Sequence, residues 1–377
     1  MIPSNPENQP VPGGGGGRPR GASDPVPGTA AAASSAAAAG NGLPGICLIG
    51  NFNLDLIIRG VETTPVWGQE IAGSGHTTVT SGQGGYVGLG LAKMGLRVEA
   101  IANVGDDAEG RGILAELEAN GIGTAGIEVR PGTVTGITVG LVRPDGERAF
   151  VSHFASLKEM DEALIERNWA TARQSPIVCL VGLFSLPGLD PAAAGRLLAR
   201  AKREGRHTVL DTGWDPDGWS AETVAGVRAA LRHVDLFLPN LDEASVITGE
   251  SDPLAAARAL QQDGPSLVVV KCGADGSVAV DGEHVASARA TTVDVVDAVG
   301  AGDAFDAAFL FAHLCGWALE PALAFGSAAA GIHVSRASDR HATPAEAHAA
   351  AQQLGVALPP LPTRAPRPTA PRGGQRQ

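Results

Sequence analysis

The chain has 377 residues, 44% hydrophobic and 18% charged, an ordinary balance for a folded globular protein. Its 28 Lys and Arg face 40 Asp and Glu, a formal net charge of −12. Arg364, Arg367, Arg372 and Arg376 lie at the C-terminal end, so the remainder is more acidic still and nucleic acid is not the expected partner. No run of about 18 apolar residues occurs, which excludes a membrane-spanning helix by sequence.

The two ends stand apart in composition. Residues 1–43 contain a glycine run (Gly13–Gly17), several prolines and an Ala/Ser tract (Ala30–Ala39), and 359–377 are Pro/Arg-rich. Neither has apolar periodicity, and both are expected to be disordered tails. The Ala tract is weakly apolar, far from the start and lacks a preceding basic cluster, so it does not read as a signal peptide. Cys47, Cys179, Cys272 and Cys315 each lie in an apolar segment and none forms a C-x-x-C pair. They are expected as buried free thiols of a reducing cytoplasm, and no zinc-type spacing is present.

Between the tails, residues 44–358 read as one large α/β unit. Expected strands are Ile46–Ile49, Val98–Ile101, Ile177–Val181, Thr208–Leu210, Leu236–Leu238, Leu267–Val270 and Ser277–Val280. Expected helices are Gly84–Met94, Gly110–Ala119, Pro191–Glu204, Ala221–Leu231, Glu243–Thr248 and Leu254–Gln262, with another from Asp303 to Cys315. The alternation predicts a mostly parallel central sheet flanked by helices on both faces. Two stretches break it, about 56–80 and 127–154, rich in Thr, Val and Gly, with a hairpin turn at Arg143–Gly146. They are expected to form a small β-sheet lid able to close over a site.

Four places in the chain carry candidate chemistry. Asn53 and Asp55 follow the first strand, where ligands of open α/β sheets bind, and a carboxylate there suits a diol. Gly82, Gly84 and Gly85 precede a helix and would let backbone approach a ligand, with Tyr86 beside them. Asn240 and Glu243 follow another strand, where the residues by themselves read as an Asn-capped helix start with Glu243 close to N3. Gly300, Ala301 and Gly302 form a turn into a helix, preceded by an apolar stretch with strand character, 290–296. Unpaired N–H groups and a positive helix end suit an anion, and Asp303 stands beside it. A carboxylate next to an anion site is electrostatically odd unless it takes a proton. Phosphoryl transfer to a hydroxyl, with Asp303 as base, accounts for it.

The string Asp297-Ala298-Val299-Gly300-Ala301-Gly302-Asp303-Ala304-Phe305 resembles the C-terminal signature of the ribokinase-like (PfkB-type) carbohydrate kinases, D-(T/A)-x-G-A-G-D-x-F. Gly50-Asn51-Phe52-Asn53-Leu54-Asp55 is similar to the family's opening G-x-x-N-x-D, the stretch from Gly82 to Gly110 to its N-terminal signature, and Asn240 to Glu243 to its N-x-x-E element. The resemblance spans about 44–345, with the motifs in order. It implies a ribokinase-like fold, a sugar substrate held by Asn53, Asp55 and the Gly82–Gly85 loop, and ATP with Mg²⁺ organised by Asn240 and Glu243 through water. It also places Lys271, Gly273, Gly276 and Ser327 at the nucleotide, and Asp297 with the turn 335–339 at a monovalent cation, K⁺. Dimers formed through the lid are a further implication. Tyr86 stands where the family has a substrate-contacting Asn, which puts ribose itself in question. A nucleoside kinase of the same fold, with Tyr86, Phe154, Phe184 and Trp214 lining a base slot, is the alternative, and a non-catalytic sugar- or nucleotide-binding protein the third reading. The P-loop motif is absent, and the literal G-x-G-x-x-G strings at 40–45 and 121–126 follow no strand.

Overall fold

In the computed structural model the described residues are 43, 45–145, 147–337 and 340–362. Residues 1–42 of the expected N-terminal tail and residues 363–377 lie outside them, whereas Leu43, expected with that tail, packs on the core. Residues 359–362, expected with the second tail, lie against the body: Leu361 packs on the core and the Pro359 carbonyl is 3.0 Å from His348 Nε2.

The central strands are short, continuously apolar runs buried on both faces, such as ICLI in one and IVCLV in another, and successive side chains point up and down in turn. The elements, in chain order, are β1 (Ile46–Ile49), β2 (Asn53–Arg59), β3 (Gly75–Ser81), α1 (Gly82–Met94), β4 (Val98–Gly105), α2 (Ala108–Ala119), β5 (Gly123–Arg130), β6 (Ile137–Val142) and β7 (Arg148–His153). After these come α3 (Glu162–Arg167), α4 (Trp169–Ala172), β8 (Ile177–Val181), α5 (Pro191–Arg203), β9 (His207–Asp211), α6 (Ala221–Leu231), β10 (Leu236–Phe237), α7 (Leu241–Thr248) and α8 (Pro253–Gln262). Last are β11 (Leu267–Lys271), β12 (Ser277–Asp281), β13 (His284–Ala288), α9 (Ala301–Leu314), α10 (Leu319–Val334) and α11 (Pro344–Gln352).

A nine-stranded sheet runs β13-β12-β11-β10-β9-β8-β1-β4-β5. It is parallel from β5 to β11, and only β12 and β13 pair antiparallel. Alternate residues enter opposite cores. Ile46, Leu48, Cys179, Val209 and Val269 pack with α1, α9 and α10. Cys47, Ile49, Val178, Leu210 and Val268 pack with α5, α7 and α8. Cys47 and Cys179 are buried and unbridged, and burial, then Glu99, pushes the Cys47 thiol up to about 12. Cys272 and Cys315 are half-buried.

The lid is a separate four-stranded sheet, β3-β2-β6-β7. The expected lid boundary at 127 is early: β5 belongs to the main sheet, paired with β4, and the lid resumes at β6. The hairpin falls where the turn signal put it, Val142 pairing with Arg148. The expected strand over 290–296 does not form; that segment lies along α10 in irregular conformation, Val296 and Asp297 donating to the Val334 carbonyl at 2.8 and 3.1 Å. Its β-branched residues suited a strand, but β13 already forms the sheet edge and has no further neighbour.

Helices α1 and α9 cross where Gly90 meets Ala307, and a Cβ at Gly90 would stand 2.7 Å from the Ala307 Cβ. This contact sets how the two helix N-termini face one another. Gly90→Val is expected to cost about 1–3 kcal/mol through overpacking, read by urea denaturation. Gly112→Ala on the open face of α2, where nothing lies within 4 Å, should be neutral or stabilising by up to about 1 kcal/mol.

Candidate active site

The strand order reverses at β1, which leads to β4 on one side and neighbours β8 on the other. In such sheets the crevice beyond the carboxyl ends at the switch point is open to a ligand. A cavity of about 360 Å³ lies there, lined among others by Asn51, Asp55, Tyr86, Phe184, Gly300 and Asp303. It therefore joins the two ends that the motifs had marked separately.

At one end, Asn53 and Asp55 lie in β2 itself, on the buried face of the lid strand, rather than in a loop. Asn53 Nδ2 donates to Asp55 Oδ1 at 3.1 Å and to Ser81 Oγ at 2.8 Å. The Tyr86 hydroxyl donates to Asp55 Oδ2 at 3.3 Å. Burial raises the Asp55 carboxyl above its ordinary range, against the hydrogen bonds from Ser81 and Tyr86. Tyr86 lines the cavity, and its ring meets His333 edge-on at 5.7 Å and backs Gly300, where a Cβ would be 3.1 Å from it. Gly82, at φ 78°, is required, since a Cβ there would come within 2.6 Å of Asn51 and Asn53 atoms. Gly84 and Gly85 do not line the cavity. Gly84 packs on the Asn51 carbonyl and Gly85 on Thr80, so their small size serves helix packing rather than a ligand.

At the other end, Gly300 is the left-handed N-cap of α9, at φ 79°, and Asp303 is in the first turn. Asp303 opens into the cavity. The Ala301 N–H turns back to the Ala298 carbonyl at 3.3 Å, so Gly302 and Asp303 supply the better-aimed donors of the helix end. Below them Lys271 Nζ donates to Asp211 Oδ2 at 2.7 Å and to Asp306 Oδ2 at 2.8 Å, and stands 3.5 Å from where a Cβ of Gly302 would be.

This one ammonium serves a crowd of acids. Burial alone would lower the Lys271 pKa, but Asp211, Asp306 and Glu243 outweigh it and raise it. Burial likewise opposes ionisation of Asp211, and Lys271 overcomes it, leaving that carboxyl lowered. Asp303 is raised well above its ordinary value by burial, then by Asp211, against Lys271. Glu243 is raised to about 7 by burial, then Asp211. Its oxygens accept from Asn240 N at 3.0 Å and Asn240 Nδ2 at 2.7 Å, completing a capping box on α7. Each oxygen keeps a second lone pair, so the pair fits an ion held through water.

Asp297, expected at a cation, is met by Arg340. The guanidinium donates to Asp297 Oδ2 at 3.1 Å and to the carbonyls of Asp297, Val299 and His333 at 2.8, 2.7 and 3.2 Å. Of the expected turn 335–339, Ser338 and Asp339 lie outside the described residues.

The structure thus gathers Asn53, Asp55, Gly82, Tyr86, Gly300 and Asp303 around one cavity. Lys271 lies beneath the anion turn, Asn240 beside it through a bridge to Lys271. Gly273 and Gly276 form the turn between β11 and β12, and Ser327 is buried on α10. Asp107, within the N-terminal signature, is structural: it caps α2 through Gly110 N at 2.8 Å and holds Thr135 N at 2.6 Å. Asp306 and Arg340 were not foreseen. Asp306 carried a signal, an acid one helical turn beyond Asp303 in an otherwise apolar helix; Lys271, ending an apolar strand, required such a partner.

The parts so far assembled, a polar clamp and a buried acid at a helix N-terminus over a doubly wound sheet, define a ligand-binding α/β enzyme site. The profile of the pfkB family of carbohydrate kinases matches residues 44–346, and the chain belongs to that family. It is 27% identical over 293 residues to the 5-dehydro-2-deoxygluconokinase of Halalkalibacterium halodurans, covering 76% of this chain and 86% of the relative. It is 24% identical to the ribokinase of Haemophilus influenzae, covering 79% and 95%. Among solved structures, Arabidopsis thaliana ribokinase complexed with ribose and ATP superposes with a TM-score of 0.70 at 23% identity, covering 82% of this chain and 99% of that one. The Methanocaldococcus jannaschii nucleoside kinase superposes at 0.67 and 20%, covering 83% and 100%. The fold is that of the ribokinases, and the protein is a carbohydrate kinase. Among the described residues no helix is long and apolar enough to cross a membrane.

Lys271→Met is expected to lose about 3–5 kcal/mol of stability, because it leaves buried acids without their counter-charge. In the variant those acids bind protons more tightly folded than unfolded, so the loss should grow from pH 6 to pH 8. Denaturant melts at both values check it.

Proposed function

We propose that the chain transfers the γ-phosphoryl group of ATP to a hydroxyl of a free sugar, with Asp303 as general base. The observation that carries this reading is one cavity shared by Asp55 and Asp303, with Asp303 buried at the positive end of α9. A raised carboxyl pKa brings the base nearer neutrality, where it takes a proton more readily. Asp55 and Asn53 hold sugar hydroxyls from the lid side. The accepting hydroxyl gives its proton to Asp303 as its oxygen bonds to phosphorus and the bond to the departing ADP oxygen breaks. Gly302 and Asp303 N–H groups, with Gly300 shaping the turn, receive the charge on the transferring phosphoryl. Asn240 and Glu243 would hold Mg²⁺ through water, and Mg²⁺ when bound supplies charge neutralisation on the phosphates. Gly273, Gly276 and Ser327 flank the nucleotide. The lid, when closed, limits transfer to water. Exposed Val151 on β7, an edge strand of the lid sheet, supports pairing of two lids in a dimer, and unbridged cysteines support a cytoplasmic setting.

A second reading is favoured by one feature. Phe150, Phe154, Phe184 and Trp214 all line the cavity, with Trp214 52% exposed. Such a wall suits a flat base or another apolar substituent on the sugar, so a nucleoside is the alternative acceptor.

Asp303→Asn should fold as the parent does and lose about 10³-fold or more in kcat, measured by ADP release over sugars, sugar acids and nucleosides. A variant with near-parental kcat would refute the base assignment. The base must be ionised, so kcat/KM of the parent should fall as pH drops, with its acid limb above the usual carboxylate range. A limb near pH 4 would deny Asp303 that role.

A further inference from the structure

We infer that Arg340 is a covalently attached stand-in for the monovalent cation, so that this kinase is indifferent to K⁺. A K⁺ ion at the anion turn would have to draw its oxygen ligands from the Asp297 carboxylate and from carbonyls of the loops on either side. In this chain those oxygens are taken. Arg340 spends three of its nitrogens on Asp297 Oδ2 and on the carbonyls of Asp297, Val299 and His333, all within 3.2 Å. Its side chain is only 8% exposed.

The geometry suits a guanidinium better than a point ion. A planar fork can serve a carboxylate and several carbonyls at once, and it cannot be deprotonated. The carbonyls come from both sides of the site, Asp297 and Val299 ahead of α9 and His333 at the end of α10. Arg340 therefore pins the turn that sets Gly300, as a cation would. His333 assists without adding charge: its Nε2 lies 2.9 Å from the Val299 carbonyl, which can only accept, and burial, then Arg340, pushes its pKa down to about 3.

Charge also opposes a second cation. Arg59 of β2 and Arg148 of β7 approach the Asp297 carboxylate at 3.7 and 3.9 Å. An added K⁺ would meet three guanidinium groups around a single carboxylate. Like charges brought so close repel.

The test uses the full chain in buffers of matched ionic strength containing K⁺, Na⁺ or tetramethylammonium. The parent's kcat/KM should differ by less than about twofold among them, and its Tm should not move, because a cation that does not bind the fold cannot stabilise it. Arg340→Ala should lose at least about tenfold in kcat through a loosened anion turn, and regain part of it with K⁺ or guanidinium but not with tetramethylammonium. Its Tm should rise with K⁺. A parent rate or Tm that climbs with K⁺ would overturn the inference, as would an Arg340→Ala variant equal to the parent without any added cation. If Arg340→Ala does not fold, the parent's response alone decides. The rate arm rests on the kinase reading, but the melting arm needs no substrate. A silent assay with the expected melting pattern would fault the substrate assignment and leave this inference standing.

Discussion

A single buried ammonium organises the α9 end of the cavity. Lys271 closes β11 and reaches Asp211 at the end of β9 and Asp306 in α9. Three elements that meet at one sheet edge are thereby tied at one atom. The alternative to this pairing is severe, since an unpaired charge in such a place costs several kcal/mol. The pairing thus fixes the height and rotation of α9 over the sheet, and Asp303, one turn before Asp306, takes its position from it.

The same shortage of positive charge sorts the acids. Lys271 contacts both Asp211 and Asp306, and Asp211 is the one whose pKa is lowered against its burial. Asp303, Asp306 and Glu243 are raised. Close titrating groups share protons, so the site titrates as a set rather than as separate residues. Asp303 is the member of that set which opens into the cavity, and a proton acceptor must be reachable as well as basic.

From Asp211 a continuous line of hydrogen bonds runs to the lid. Gln83 Nε2 donates to Asp211, Gln83 N to Asn51, Asn51 Nδ2 to Asn53, and Asn53 Nδ2 to Asp55. The line passes from the end of β9 through the start of α1 and the short β1–β2 connection at Asn51 into β2. The lid strand that carries Asp55 is thus linked to the buried cluster beside Asp303. On the proposed reading, this is what keeps the acceptor hydroxyl and the phosphoryl site at a fixed separation.

How much of this the sequence disclosed depended on the range of the interaction. Strand and helix patterns are local, and β1, β8 and α6 fall where periodicity placed them. Asp55, Asp303 and Gly300 were legible because each sits in a compact string with its own local meaning. Gly84 and Gly85 misled, since a glycine that admits a ligand and one that admits a neighbouring helix look alike in a string. The segment 290–296 misled because propensity does not say whether a sheet edge is available. Asp306 and Arg340 were hidden for another reason: their partners are 35 and 43 residues away, and only the fold brings them together. Those two residues have a common consequence. Lys271 lies beneath the turn of Gly300 to Gly302, and Arg340 grips it from behind through the Val299 carbonyl. The positive end of α9 is thus supported on two sides by charges that cannot diffuse away. On the proposed reading, preorganised dipoles of this kind stabilise developing charge without reorganising during the reaction, and folding rather than a bound ion makes them ready.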